Sequence, residues 1–247
     1  MDARSRIIVA LDASDVADAI QLVENLEPYV GGFKLGLEFI TSSYVQLIAR
    51  PSDEETTQRL RRLRELYARI GNKLMWDGKV ADIPNTTAGA TKALQPLAPK
   101  FFTVHASAGR AAVAAAVANR GDSAVLGVTV LTSIDPQECL SIFGDQPGAK
   151  VLEFAHMLLA AGADGIVCSP QELPALAQHH ALRSLVKVIP GIRPADAAAG
   201  DQTRVGTPRW AIEQGADHLV IGRAITKPGF GTSVDAVRRI IEEIEAA

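Results

Sequence analysis

AAGADGIVCS at 160–169 and EQGADHLVIGR at 213–223 each set the same Gly-Ala-Asp tripeptide ahead of a short apolar run. Runs that are apolar nearly throughout, rather than alternating, suit strands buried on both faces of a parallel sheet. Working outward from this pair, six more runs share the form: IIVALD at 7–12, GFKLG at 32–36, LMWDGK at 74–79, FFTVHA at 101–106, AVLGVTVLT at 124–132 and VKVIPGI at 186–192. With GIVCS at 165–169 and HLVIGR at 218–223 they make eight candidate strands.

Helix signals fill the gaps. Ser52-x-x-Glu55 reads as a capping box ahead of TTQRLRRLRELYARI, which Gly71 closes. Asp135-Pro136 with Glu138, Ser169-Pro170 with Glu172, and Thr207-Pro208 each put an N-cap before a proline at the first helical position. Eight strands alternating with helices in 247 residues predict an α/β fold, a (β/α)8 barrel formed as a single domain over 1–247. A doubly wound open sheet is the alternative.

Composition narrows the function classes. The chain has 25 basic and 28 acidic side chains, a formal net charge of −3, so nothing points to a polyanion such as nucleic acid as partner. No apolar stretch reaches the roughly 18 residues of a membrane span. A cytoplasmic, unexported protein is the expectation. Cys139 and Cys168 lack metal or redox spacing and read as small buried hydrophobes. His105 ends a strand without spaced ligand partners and reads as a hydrogen-bonded residue rather than a metal ligand, and His179-His180 as solvated. In RLRRLREL, Leu60, Leu63 and Leu66 are expected in the core beneath a basic outer face. The fingerprints of dinucleotide cofactors, P-loops, serine hydrolases and zinc peptidases do not occur.

Chemistry is expected at the C-terminal strand ends, which carry Asp12, Lys34, Asp77 with Lys79, His105, Thr132, Arg193 and Arg223. Asp77 and Lys79 stand at i and i+2, so both side chains leave one face of their strand, with Asp82 in the loop just beyond. A purely structural salt-bridge network is the plain reading of such a cluster; its place at the functional end of a barrel favours a catalytic one. Gly222 and Arg223 open a helix after strand eight, where barrels bind phosphate, and the long loop at 190–206 could close over a ligand. An arginine merely capping a surface helix is the plain alternative there.

The ten residues Asp77-Gly-Lys79-Val-Ala-Asp82-Ile-Pro-Asn-Thr86 resemble the D-x-K-x-x-D-I-P-N-T pattern of the orotidine 5'-phosphate decarboxylase family, in its bacterial stand-alone form. VALD ending at Asp12, FKLG with Lys34, HAS at 105–107, TVLTS at 129–133, PGIRP at 190–194, GDQ at 200–202 and IGR at 221–223 extend the resemblance along the chain. The resemblance implies cofactor-free decarboxylation of orotidine 5'-phosphate to UMP and CO2, the last step of de novo UMP synthesis. It further implies that Lys79 protonates C6 of the pyrimidine within a charge array completed by Asp77, Lys34 and Asp82. Asp12 and Lys34 would hold ribose hydroxyls and Thr132 the pyrimidine edge. Gln202, Gly222 and Arg223 would grip the phosphate with Arg193 nearby. A homodimer is implied as well, with Asp82 and Thr86 reaching across its interface. Two rival readings remain: a Mg2+-dependent sugar-phosphate decarboxylase or synthase of the same superfamily, and a catalytically silent pyrimidine-nucleotide binding protein.

Overall fold

The computed structural model describes residues 2–13, 15–49, 52–194 and 204–247. Eight parallel strands pair in sequence order and close, β8 against β1, into the barrel expected from the sequence. They are β1 Ile7–Ala10, β2 Gly32–Gly36, β3 Leu74–Val80, β4 Phe101–His105, β5 Ala124–Val128, β6 Gly165–Val167, β7 Val186–Ile189 and β8 His218–Ile221. Around them run α1 Val16–Leu26, α2 Leu37–Ile48, α3 Asp53–Ile70, α4 Pro84–Leu94, α5 Arg110–Ala118, α6 Pro136–Phe143, α7 Pro147–Ala160, α8 Leu173–Gln178, α9 Pro208–Glu213, α10 Arg223–Thr226 and α11 Ser233–Glu245.

Alternation along the strands divides the core in two. Ile8, Ala10, Met75, Phe101, Leu126, Val188 and Val220 fill the barrel interior. Ile7, Val9 and Leu11 of the same first strand region turn outward into the larger layer between sheet and helices. No helix among the described residues is long and apolar enough to cross a membrane.

The Gly-Ala-Asp repeat is one device used twice. After α7 and after α9 the glycine takes a left-handed backbone, φ 82° at Gly162 and 92° at Gly215, which turns the chain back toward the sheet. The alanine N–H donates to a helix carbonyl, Ala163 to Leu158 and Ala216 to Ala211, both at 3.0 Å. The aspartate then clamps the second residue of the preceding strand. Its carboxylate accepts that residue's N–H at 2.8 Å, Val125 for Asp164 and Lys187 for Asp217. Its own N–H donates to the same residue's carbonyl at 3.0 Å. Each β-strand pair, β5–β6 and β7–β8, is thereby held in register at the N-terminal rim.

The caps behave as their chemistry requires. Ser52 accepts from the Glu55 N–H, Asp135 from Glu138 and Thr207 from Trp210. Ser169 heads a 3-10 turn at Pro170–Glu172 rather than an α-helix, and α8 begins only at Leu173. Two further expectations need correction. Six of the eight strands (β3 and β2 excepted) stop one to four residues before the apolar run ends: Val130, for example, is buried by loop packing, which hydrophobicity alone cannot distinguish from sheet pairing. Leu60 is 40% exposed rather than in the core, because α3 buries only its Leu66–Ile70 end while Leu63 is half-buried.

Candidate active site

The site is built on an irregularity at the end of β3. Pairing with β4 shifts register between Trp76 and Val80, and Lys79 adopts φ 48°, one of two non-glycine residues with positive φ among those described. An L-residue in this region costs about 1–2 kcal/mol, so neighbouring groups must hold it there. Thr103, fully buried in β4, does so: its hydroxyl oxygen accepts the Lys79 N–H at 2.9 Å, and the hydroxyl donates to Asp77 Oδ1 at 3.0 Å. Between the two charged residues only glycine fits, since a Cβ at position 78 would lie 2.0 Å from the Trp76 ring. Asp77 and Lys79 both face one cavity, as their spacing predicts, although the strand carrying them is not regular.

Charges alternate along that wall. Lys79 Nζ donates to Asp77 Oδ2 at 2.7 Å, Lys34 Nζ lies 3.4 Å from the same oxygen, and Lys34 Nζ donates to Asp12 Oδ1 at 3.3 Å. Lys34 reaches both carboxylates because residue 36 is glycine; a Cβ there would sit 2.6 Å from the ammonium. Burial alone would raise the pKa of Asp77, but the Lys34 and Lys79 ammonium groups, with the hydrogen bonds from Lys79 and Thr103, outweigh it and hold the carboxyl below the usual carboxylate range. Asp77 therefore stays ionised although only 5% exposed. His105, at the end of β4, has its ring nitrogen 3.0 Å from the Ser107 hydroxyl. Burial, reinforced by the positive charge of Lys79, keeps the His105 ring below its ordinary pKa and hence neutral at pH 7.

The cavity, about 270 Å³, is lined by Asp12, Lys34, Asp77 and Lys79 from one side and by Thr132, Pro190, Gly191, Arg193, Gly222 and Arg223 from the others. Gly222 packs closely under Asp12, where a Cβ would come within 3.3 Å of the carboxylate. Arg223 is the first residue of α10. Arg193 sits on a neck where Ile192 bridges to Gly206, closed by Arg193 N–H to Gly206 O at 3.0 Å and Gly206 N–H to Gly191 O at 3.1 Å. Thus eight sequence-predicted residues, Asp12, Lys34, Asp77, Lys79, Thr132, Arg193, Gly222 and Arg223, converge on one space. Asp82 and Thr86 do not line it; both are exposed at the start of α4, where Asp82 Oδ1 accepts the Ile83 N–H at 2.7 Å. Gln202 lies outside the described residues.

Cys168 also lines the cavity, but burial pushes its thiol up so that it stays protonated and is no nucleophile; Cys139 is likewise buried and free. Among the described residues no three His, Cys, Asp or Glu side chains converge on a metal-sized site. His179 meets His156 in an exposed edge-to-face pair away from the cavity. Two residues were passed over in the sequence. Thr103 is a lone threonine in an apolar strand, recognisable only from the register that sets β4 beside the Asp77–Lys79 segment. Arg204, buried at the end of a polar loop, carries no local signal at all.

Comparison with known proteins finds relatives over nearly the whole chain. The orotidine 5'-phosphate decarboxylase / HUMPS family model matches residues 5–240. The orotidine 5'-phosphate decarboxylase of Moorella thermoacetica is 39% identical, covering 99% of this chain and 94% of that protein. That of Gluconobacter oxydans is 37% identical over the whole of both. The crystal structure of orotidine 5'-phosphate decarboxylase from Lactobacillus acidophilus superposes with a TM-score of 0.72 at 29% identity, covering 96% of this chain and 98% of that one.

Proposed function

The chain belongs to the orotidine 5'-phosphate decarboxylase / HUMPS family and is a carboxy-lyase, and from that premise we propose that it converts orotidine 5'-phosphate to UMP and CO2 without a cofactor, as a step of pyrimidine biosynthesis. The observation that carries the reading is the unbroken Asp12–Lys34–Asp77–Lys79 array on the wall of a cavity that also holds Arg223.

The chemistry explains the array. Losing CO2 from C6 of the pyrimidine leaves an electron pair in an in-plane sp2 orbital, which the ring cannot delocalise, so a fixed cation beside C6 is the stabiliser required. Lys79 supplies a compact ammonium that stabilises the developing carbanion and then delivers the proton that becomes the C6–H of UMP. Because Lys79, Asp77 and Thr103 already hold one another, little reorganisation remains for the reaction itself. Asp77, kept ionised by its two lysines, faces the departing carboxylate, and their repulsion falls as CO2 leaves; this is the secondary contribution.

The remaining assignments follow the wall of the cavity. Asp12 and Lys34 bind ribose hydroxyls, and Thr132 reads the pyrimidine edge. Arg223 and Gly222, with Gln202 and with Arg193 nearby, bind the phosphate. Such remote contacts matter because enzymes lower barriers by about 8–23 kcal/mol, and binding energy from the phosphate can be applied to organising the reacting end. Asp82 and Thr86, exposed and away from this cavity, complete the site of a second copy in a homodimer. Each copy is a single barrel domain over 1–247, two copies make the working unit, and its setting is the cytoplasm.

The test is the ultraviolet absorbance change of orotidine 5'-phosphate with purified protein in excess EDTA, the product being identified by chromatography. Conversion to UMP under chelation is expected. Turnover of a sugar phosphate restored by Mg2+, with none of the nucleotide, would reassign the chain within its family. Binding of the nucleotide without either reaction would make it a binding protein.

A further inference from the structure

Outside the charge array, one group is buried, ionic and unused by the chemistry above. Arg204 and Glu172 are 6% and 5% exposed and form an ion pair through Arg204 Nη1 and Glu172 Oε1. The other terminal nitrogen of Arg204 donates to the carbonyls of Leu131 at 2.8 Å and Val130 at 3.2 Å, immediately before Thr132. The Arg204 carbonyl in turn accepts from the Ser169 hydroxyl at 3.4 Å. Two residues on, Gly206 closes the neck that carries Arg193 and lies so flat against Pro170 that a Cβ would come within 2.8 Å of its ring. One side chain therefore ties together the segments that follow β5, β6 and β7.

Stability alone does not account for this arrangement. Removing two charges from water costs about as much as their pairing returns, and Arg204 Nε has no hydrogen-bond partner among the described residues. What the guanidinium supplies is geometry. Its planar fork holds a carboxylate at one terminal nitrogen and two carbonyls at the other, a fixed spread that the single nitrogen of an ammonium does not have and an apolar side chain cannot supply.

We propose that Arg204, oriented by Glu172, is a positioning residue that sets the Thr132 segment in register with the Arg193 neck, so that the base end and the phosphate end of one substrate are met together. It touches no substrate, since it does not line the cavity. The inference rests on the functional reading above, and it predicts a dependence that a merely structural pair would not have. A substrate that engages both ends needs the two segments aligned; a nucleoside without phosphate engages one end and does not.

The experiment compares orotidine 5'-phosphate with orotidine, at high enzyme concentration, for the wild-type chain, Arg204→Lys and Glu172→Gln, with thermal melting recorded for each. Misplacement by about 1 Å can cost about 100-fold, so Arg204→Lys is expected to lower kcat/KM for the phosphorylated substrate by at least about 30-fold and for orotidine by less than about 3-fold. Glu172→Gln, the milder change, should show the same selectivity to a smaller degree, and the double variant should be no worse than Arg204→Lys. Equal losses on both substrates, tracking the melting temperature, would overturn the proposal, as would unchanged kinetics in both variants. If Arg204→Lys fails to fold, Glu172→Gln decides by the same comparison. A wild-type chain inactive on orotidine 5'-phosphate would instead reject the functional reading and the inference with it.

Discussion

Replacing Thr103 by valine keeps the shape of the side chain and removes one oxygen, which makes it a sharp probe of the site. That oxygen serves two groups: it accepts the Lys79 N–H, and its proton goes to Asp77 Oδ1. Thr103 is fully buried and Asp77 nearly so, so no water is at hand to replace what is lost. An orphaned buried group costs about 1–3 kcal/mol, the upper part of that range applying to charged ones. Taking about 1 kcal/mol for the amide and about 2 kcal/mol for the carboxylate, Thr103→Val should destabilise the fold by about 3 kcal/mol. Urea unfolding measures this directly. In the kinetic assay kcat should fall about 10- to 100-fold with little change in KM, because the loosened pair acts at the transition state rather than in binding. Thr103→Ser, which restores the hydroxyl and lacks only a methyl, should recover most of kcat. A valine variant within about 0.5 kcal/mol of wild type and with full kcat, or a serine variant as damaged as valine, would refute the role assigned to this hydroxyl.

Lys79→Ala should abolish decarboxylation with the circular dichroism spectrum intact, and near-normal turnover would remove it from the chemistry. The same variant should raise the pKa of His105, read by NMR, only part of the way to normal, because burial is the larger cause of its depression. Arg223→Ala should weaken binding of the phosphorylated substrate, seen as a raised KM, while leaving the Asp77–Lys79 contact in place; unchanged affinity would move the phosphate site elsewhere. His218, buried against Phe101, has its pKa lowered to about 4, first by burial and then by Lys100. The unfolded chain therefore takes up this proton more readily, so the stabilising contribution is complete above about pH 6.5 and falls by about 3 kcal/mol as the pH drops to about 4. Calorimetric melting across that range should show the loss, and His218→Phe should flatten it; equal slopes in both proteins would assign the pH dependence to other groups.

How much of this could be read beforehand depended on whether the controlling interaction was local. The paired Gly-Ala-Asp tripeptides and the caps at Ser52, Asp135 and Thr207 act within a few residues of themselves, so the barrel was legible in sequence order. Asp77 and Lys79 were legible for the same reason. The ends of the strands were not, because Val130 is buried by loops from elsewhere and looks identical to a paired residue. Thr103 and Arg204 escaped because their meaning lies across the sheet, 24 and 73 residues from the backbone groups they hold. Leu60 misled because helical periodicity gives the face of α3 but not where along its length the barrel stops covering it.

The packing of tryptophan against glycine has a practical side. The chain's two tryptophans, Trp76 and Trp210, are each in close approach to a glycine that shapes the cavity: the Trp76 ring crowds Gly78 beside Lys79, and the Trp210 ring lies near Gly206 in the neck behind Arg193. Each indole is thus a built-in optical reporter on one half of the site. Single-tryptophan variants would give separate fluorescence signals for the reacting end and the neck, allowing the order in which ligand affects them to be followed without an added label.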